Sequence, residues 1–114
     1  MFNDLFSHNT VKFAFDGSKN PFISLNDYVK EGRPAKAVVR GVWINPKSQF
    51  GPTGVIVLDD ININVPSHIN KDIEIIRSRA DLVKGIDDGK CTMVVEQYVD
   101  KNGITRNTVR FSDT

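Results

Sequence analysis

Residues 36–45 read Lys-Ala-Val-Val-Arg-Gly-Val-Trp-Ile-Asn, and this segment decides how the chain is interpreted. Its β-branched and aromatic content predicts one long strand. Gly41 stands in the middle, where a glycine marks a bulge or a sharp bend. Lys36, Val38 and Arg40 share one face before the bend, and Ala37 and Val39 share the other. Trp43 follows the Ala37/Val39 parity unless a bulge shifts the phase. It therefore reads either as core or as an exposed stacking ring.

Working outward, Pro46–Pro52 is a loop that carries Lys47 and Phe50. Gly54–Asp59 (GVIVLD) reads as the return strand of a hairpin. Ile61–Val65 (ININV) alternates strictly, which sends Ile61, Ile63 and Val65 inward and Asn62 and Asn64 outward. The period then changes. After Pro66, with Ser67 as the N-cap, the apolar positions Ile69, Ile73, Ile76, Ala80 and Val83 form a helical stripe. A break is expected near Ser78, and Gly89 suits a left-handed cap. Cys91–Val99 reads as a strand and Asn102-Gly103 as a hairpin turn. In the last strand, Ile104–Phe111, Arg106, Thr108 and Arg110 share one face and Val109 and Phe111 the other. Upstream, Val11–Phe15 alternates like a short strand, Asp16–Pro21 is dense in turn formers, and Phe22–Val29 is a short strand or a single helical turn.

The predicted order in residues 36–114 is strand, strand, strand, helix, strand, strand. That is the order of a mainly β domain of the oligonucleotide-binding (OB) type, a five-stranded Greek-key barrel with a helix between its third and fourth strands. Residues 1–35 are expected to be an N-terminal extension packed on the barrel. At 114 residues and 39% hydrophobic content, one domain with a modest core is expected.

Charge is unevenly spread. The chain has 15 basic and 14 acidic residues, a net charge of +1. From Arg33 to Leu58, however, there are four basic residues and no acid, together with Trp43 and Phe50. Cations attract a phosphate backbone, and exposed rings stack on unpaired bases. In an OB barrel the second and third strands and the loops joining strands one–two and four–five carry the ligand. That places Lys47 and Phe50 in one loop, and Lys101 and Asn102 in the other. Lys36, Arg40, Lys47, Arg106 and Arg110 are candidate phosphate contacts. Phe50, Trp43 and Tyr98 are candidate stacking rings, and Asn62, Asn64 and Lys101 are further candidate contacts.

Catalytic and metal chemistry finds little support. Cys91 is the single cysteine, which excludes an internal disulfide, and His8 and His68 are the only histidines. One cysteine and two separated histidines do not build a Cys/His zinc site. Asp59-Asp60 and Asp87-Asp88 are explained by turn and cap chemistry. Gly51-Pro52-Thr53-Gly54 has neither the length nor the lysine of a phosphate-binding loop. No apolar run approaches the roughly 20 residues needed to span a bilayer, and the start lacks a signal-peptide pattern. A soluble, cytoplasmic, non-enzymatic protein without cofactor is the expectation. A protein-interaction module and a small enzyme with an unrecognised site are the competing readings.

Over residues 36–113 the sequence resembles the small single-stranded DNA-binding proteins of phages that infect Gram-positive bacteria. The resemblance rests on the bent strand Ala37–Ile44, the helix opening Pro66-Ser67-His68-Ile69 and the run Leu82–Lys90 (LVKGIDDGK). It continues through the strand ending in Tyr98, the Lys101-Asn102-Gly103 hairpin and Thr108-Val109-Arg110-Phe111. It implies an OB-fold, self-associating protein without catalytic residues that coats single strands during phage replication or recombination in the host cytoplasm. Replication or recombination proteins would then be its partners. Cellular proteins of this function end in an acidic tail. This chain ends Phe111-Ser112-Asp113-Thr114, so recruitment through such a tail is not expected.

Overall fold

The computed structural model describes residues 13–46 and 51–113. Its elements in chain order are β1 (Phe22–Ser24), α1 (Leu25–Lys30), β2 (Lys36–Val38), β3 (Gly41–Asn45), β4 (Thr53–Val57), β5 (Asn62–Asn64), a 3-10 turn (Ser67–Ile69), α2 (Asn70–Ser78), α3 (Ala80–Asp87), β6 (Cys91–Val99) and β7 (Thr105–Asp113). The fold is mainly β. Its seven described strands form a four-stranded sheet, β1-β5-β4-β3, and a three-stranded sheet, β2-β6-β7. No described helix is long and apolar enough to cross a membrane.

The two sheets share one bent strand. The segment predicted as a single strand breaks at Val39-Arg40, and the two adjacent amides there bond in different directions. Val39 N donates to Cys91 O of β6 at 2.9 Å, and Arg40 N donates to Val57 O of β4 at 2.8 Å. The bend thus passes the chain from one sheet to the other. It also shifts the side-chain phase. Val39 and Val42 are both fully buried although they stand three residues apart, so Trp43 is carried to the face opposite the core. Gly41 leaves room for the Phe13 ring; a β-carbon there would lie 3.3 Å from Phe13 Cδ2.

A mainly β architecture was expected; barrel closure is not seen among the described strands. Following hydrogen bonds across the bent strand gives the order β7-β6-β2/β3-β4-β5-β1. β1 runs parallel to β5, with Phe22 opposite Asn62 and Ser24 opposite Asn64. It thereby takes the edge of β5 that a closing strand would use. Phe22–Val29 turns out to be both of its predicted alternatives, a strand followed by a helix. Ser24 caps α1 by accepting from Asp27 N at 3.1 Å. A six-residue helix is marginal in water; burial of Leu25 and Tyr28 holds it, and Tyr28 Oη donates to Pro34 O at 2.7 Å.

Phe13–Phe15 forms no strand, and the other residues of that expected strand, Val11 and Lys12, lie outside the described region. Of the predicted helical stripe, Ile69, Ile73 and Ile76 are buried, but Ala80 is exposed and Val83 half-buried: the break at Arg79, which is extended (φ −119°, ψ 116°), interrupts the helical phase, and α3 buries Ile86 instead. Ser67 is not the expected cap: it lies within the 3-10 turn, which has no side-chain cap bond. Gly89 and Gly103 adopt positive φ values of 74° and 78°, as the helix end and the Asn-Gly turn require. The core packs Val42, Ile56 and Ile63 from the four-stranded sheet against Met93 and Val109 from the other, with Ile73 and Ile86 from the helices.

A candidate binding groove on the outer face of the four-stranded sheet

Strand register assigns two faces to the four-stranded sheet. Val42, Ile56 and Ile63 align on the core side, and Trp43, Val55, Asn64 and Phe22 fall on the other. The outer face is not simply solvated. Val55 and Val57 are buried on it, apart from the main core cluster. Residues 13–20 cross this face as a strap.

Close packing and hydrogen bonds hold the strap. Phe13 packs on Gly41. Gly17 rests on Val57 and Asn62 so closely that a β-carbon at this position would clash with Val57 Cγ1. Asn62 Nδ2 donates to Gly17 O at 3.0 Å, and Asn62 Oδ1 accepts from Asn20 Nδ2 at 3.3 Å. Asn20 Nδ2 also lies 3.0 Å from Leu58 O, and Asn62 N donates to Pro21 O at 2.9 Å. Ala14 N donates to Asp87 Oδ1 at 2.8 Å.

Asn62 is therefore a correction. Alternation placed it outward as a ligand contact, and it does lie on the outer face. Yet it is only 2% exposed, because the strap covers it. It is the one buried polar or charged residue among those described. A buried amide must satisfy its donors and acceptor, and Asn62 spends its amide on the strap.

Beside the strap the surface opens into a groove of about 620 Å³, a volume within the range of small-molecule sites. The strap contributes Phe13 and Phe15, β1 contributes Phe22, β3 contributes Trp43, and the last turn of α2 contributes Arg77. Trp43 is half-buried, and Phe22, 50% exposed, meets it edge to face with ring centroids 6.2 Å apart. Arg77 donates from Nη1 to Val42 O at 2.8 Å. Its burial lowers its pKa from the ordinary arginine value, but a guanidinium stays charged at any physiological pH. Asp16 also lines the groove, and the Ser18 amide donating to its carboxylate holds its pKa below the usual range.

The remaining predicted site residues are spread over other elements. Lys47 and Phe50 lie outside the described residues. Lys36 is exposed on β2, and Asn64 is half-buried on β5. Arg40 is not a free cation: its Nε lies 2.6 Å from Asp59 Oδ1. Arg106 pairs with Asp100 at 2.8 Å and Arg110 with Glu96 at 2.9 Å. Tyr98, 40% exposed, stands opposite Arg106 on the β6–β7 hairpin and meets His68 edge to face at 6.0 Å. His68 Nε2 in turn hydrogen-bonds Thr108 Oγ1 at 2.8 Å. Lys101 is exposed at the hairpin tip. Trp43 and Asn62 thus come together at the groove, while Tyr98, Lys101, Arg106 and Arg110 are distributed along the β6–β7 hairpin.

Cys91 is half-buried, and burial, with Asp113 nearby, pushes its thiol up to about 11. No group of three or more metal-ligating side chains is found among the described residues. Sequence reasoning missed Phe13, Phe15, Phe22 and Arg77 as groove residues. The first three had a weak signal, three phenylalanines flanking a turn-rich stretch; Arg77 had none. No protein-family model matches the chain, and searches of curated proteins and of solved structures find no match.

Proposed function

We propose that the protein is a sequence-independent single-stranded DNA-binding protein of the OB type, opened between its last strand and β5, where β1 occupies the edge. The observation that carries this reading is the groove. Four aromatic side chains and an arginine converge on the outer face of β3, β4, β5 and β1. In OB domains the second and third strands, which correspond to β4 and β5, carry the ligand. Planar apolar walls suit bases, and a cation at the rim suits phosphate. Each stacked base is worth roughly 1–3 kcal/mol.

Ion pairing of Arg40, Arg106 and Arg110 makes the electrostatic contribution small. Affinity should fall with salt at a slope of about −0.7 per phosphate neutralised. Several copies on one strand would raise affinity through avidity, in keeping with a self-associating coat protein in phage replication or recombination. The test is titration of Trp43 fluorescence with oligo-dT and with duplex at two salt concentrations. Quenching by the single strand alone is expected. Absence of any binding to oligo-dT at about 50 mM salt overturns the reading.

One observation favours a second reading, a protein-interaction adaptor. The hairpin end carries exposed apolar residues, Val99 (66%) and Ile104 (50%), while its arginines are already paired. A defined protein partner retained after nuclease treatment and high salt would support it over nucleic acid.

A further inference from the structure

We propose that the strap and the sheet beneath it form a two-walled clamp for one unpaired nucleobase, with Asn62 as the positioning residue that sets the distance between the walls. This rests on the nucleic-acid reading above. The strap supplies Phe15, and the sheet supplies Trp43 with Phe22 packed against its ring. Arg77 lies on the same groove and offers positive charge where the phosphate of an inserted nucleotide would follow its base. An unpaired base has two free faces and a free edge. A base within a duplex is stacked on both faces and paired at its edge, so it must leave the helix to enter such a site. The clamp therefore gives a physical reason for preferring single strands that does not depend on net charge.

Asn62 acts without touching the ligand. Its amide bonds to Gly17 O and Asn20 Nδ2 fix the strap to β5. Gly17 seats directly on Val57 and Asn62, which leaves the strap no freedom to drop further. Asn62→Leu removes both side-chain bonds while keeping the branched shape and heavy-atom count of the side chain, and it keeps the β5 backbone ladder. The strap then loses its register over the groove while the core beneath, on the other face of the sheet, is unaffected.

The experiment compares the parent, Phe15→Ala, Asn62→Leu and Asn20→Ala by titration of Trp43 emission. The probes are oligo-dT, an abasic oligonucleotide of equal length, and duplex. Cooperative thermal melting of each variant checks folding, and Asn20→Ala tests the same pin from the strap side if Asn62→Leu does not fold. For Phe15→Ala the expected loss of oligo-dT affinity is roughly 5- to 150-fold. For the Asn62 and Asn20 variants, affinity and saturating quench are expected to fall together. The abasic strand should bind the parent without quenching Trp43. If the parent binds oligo-dT but Phe15→Ala binds equally well and the abasic strand quenches equally, the clamp is overturned and the DNA-binding reading stands. If the parent binds no single strand, both are overturned.

Discussion

Replacing Gly17 by alanine tests the strap with one methyl group. The added β-carbon would clash with Val57 Cγ1 and lie 3.2 Å from Asn62 Oδ1 and 3.5 Å from Asn20 Nδ2. Val57 cannot easily turn aside, because it is β-branched and buried in β4 between two neighbouring strands. If the strap stays in place, overpacking costs about 1–3 kcal/mol. If the strap lifts, it gives up the Asn62–Gly17 and Asn62–Asn20 bonds, worth about 1 kcal/mol each. Both routes lead to a loss of about 1–3 kcal/mol. With an m-value of about 1–3 kcal/mol/M for a small domain, the urea midpoint should fall by about 1 M at unchanged m. Gly85→Ala is the internal control. It lies within α3 with no heavy atom within 4 Å of an added β-carbon, and should gain up to about 1 kcal/mol from helix propensity. Urea unfolding followed by circular dichroism reads both, and titration with oligo-dT reads the groove. A Gly17→Ala midpoint at or above that of the parent would refute the close seating of the strap.

Other perturbations have expected outcomes. Ile73 is fully buried at the centre of α2. Ile73→Ala should therefore cost about 2–5 kcal/mol and Ile73→Val about 0.5–1.5 in urea unfolding; equal costs would place the side chain outside the core. Asp100 lies below the usual carboxylate range, chiefly through its bond to Arg106 and also through the Ile104 amide. Its contribution is present above the unfolded pKa and lost as pH falls through the lower folded value, so Asp100→Asn should flatten the acid limb of a stability–pH profile. The Cys91 thiol, about 11 in the folded chain against an ordinary 9.0, keeps its proton where the unfolded chain has lost it. Stability should decline from pH 9.0 to about 11 by less than ~1.4 kcal/mol per unit, discounted for partial exposure. Alkylation at neutral pH should be slow until urea unfolds the protein; fast alkylation of the native chain would contradict the burial.

Much of the secondary structure was legible because it follows from local periodicity. The strand–helix order, the break before Ala80 and the Asn-Gly hairpin all come from neighbours within a few residues. The site was less legible. The acid-free stretch from Arg33 to Leu58 suggested unpaired cations, but Arg33 and Arg40 find Asp60 and Asp59 just beyond its end. Ion pairs form in space, so a run of one sign along the chain does not guarantee a patch of one sign on the surface. Trp43 was ambiguous for a definite reason. Its face depended on whether the bend shifted the alternation, and that is settled by where the amides of Val39 and Arg40 find acceptors.

By itself, the sequence determined most of the segments that extend, coil into helix or turn, since backbone preference and side-chain period act over short distances; it misplaced a strand at Phe13–Phe15 and left Phe22–Val29 open between strand and helix. It also determined that Asn62 would share the outer face with Asn64, because alternation along a strand is geometric. Only the tertiary structure decided that this face is roofed by residues 13–20, more than forty positions away, and that Phe13, Phe15, Phe22, Trp43 and Arg77 would line one groove. The physical reason is that contacts between distant segments depend on complementary shape and on bonding groups left unsatisfied by local structure. The Asn62 amide under its strap is such a group, and no window of sequence contains both partners.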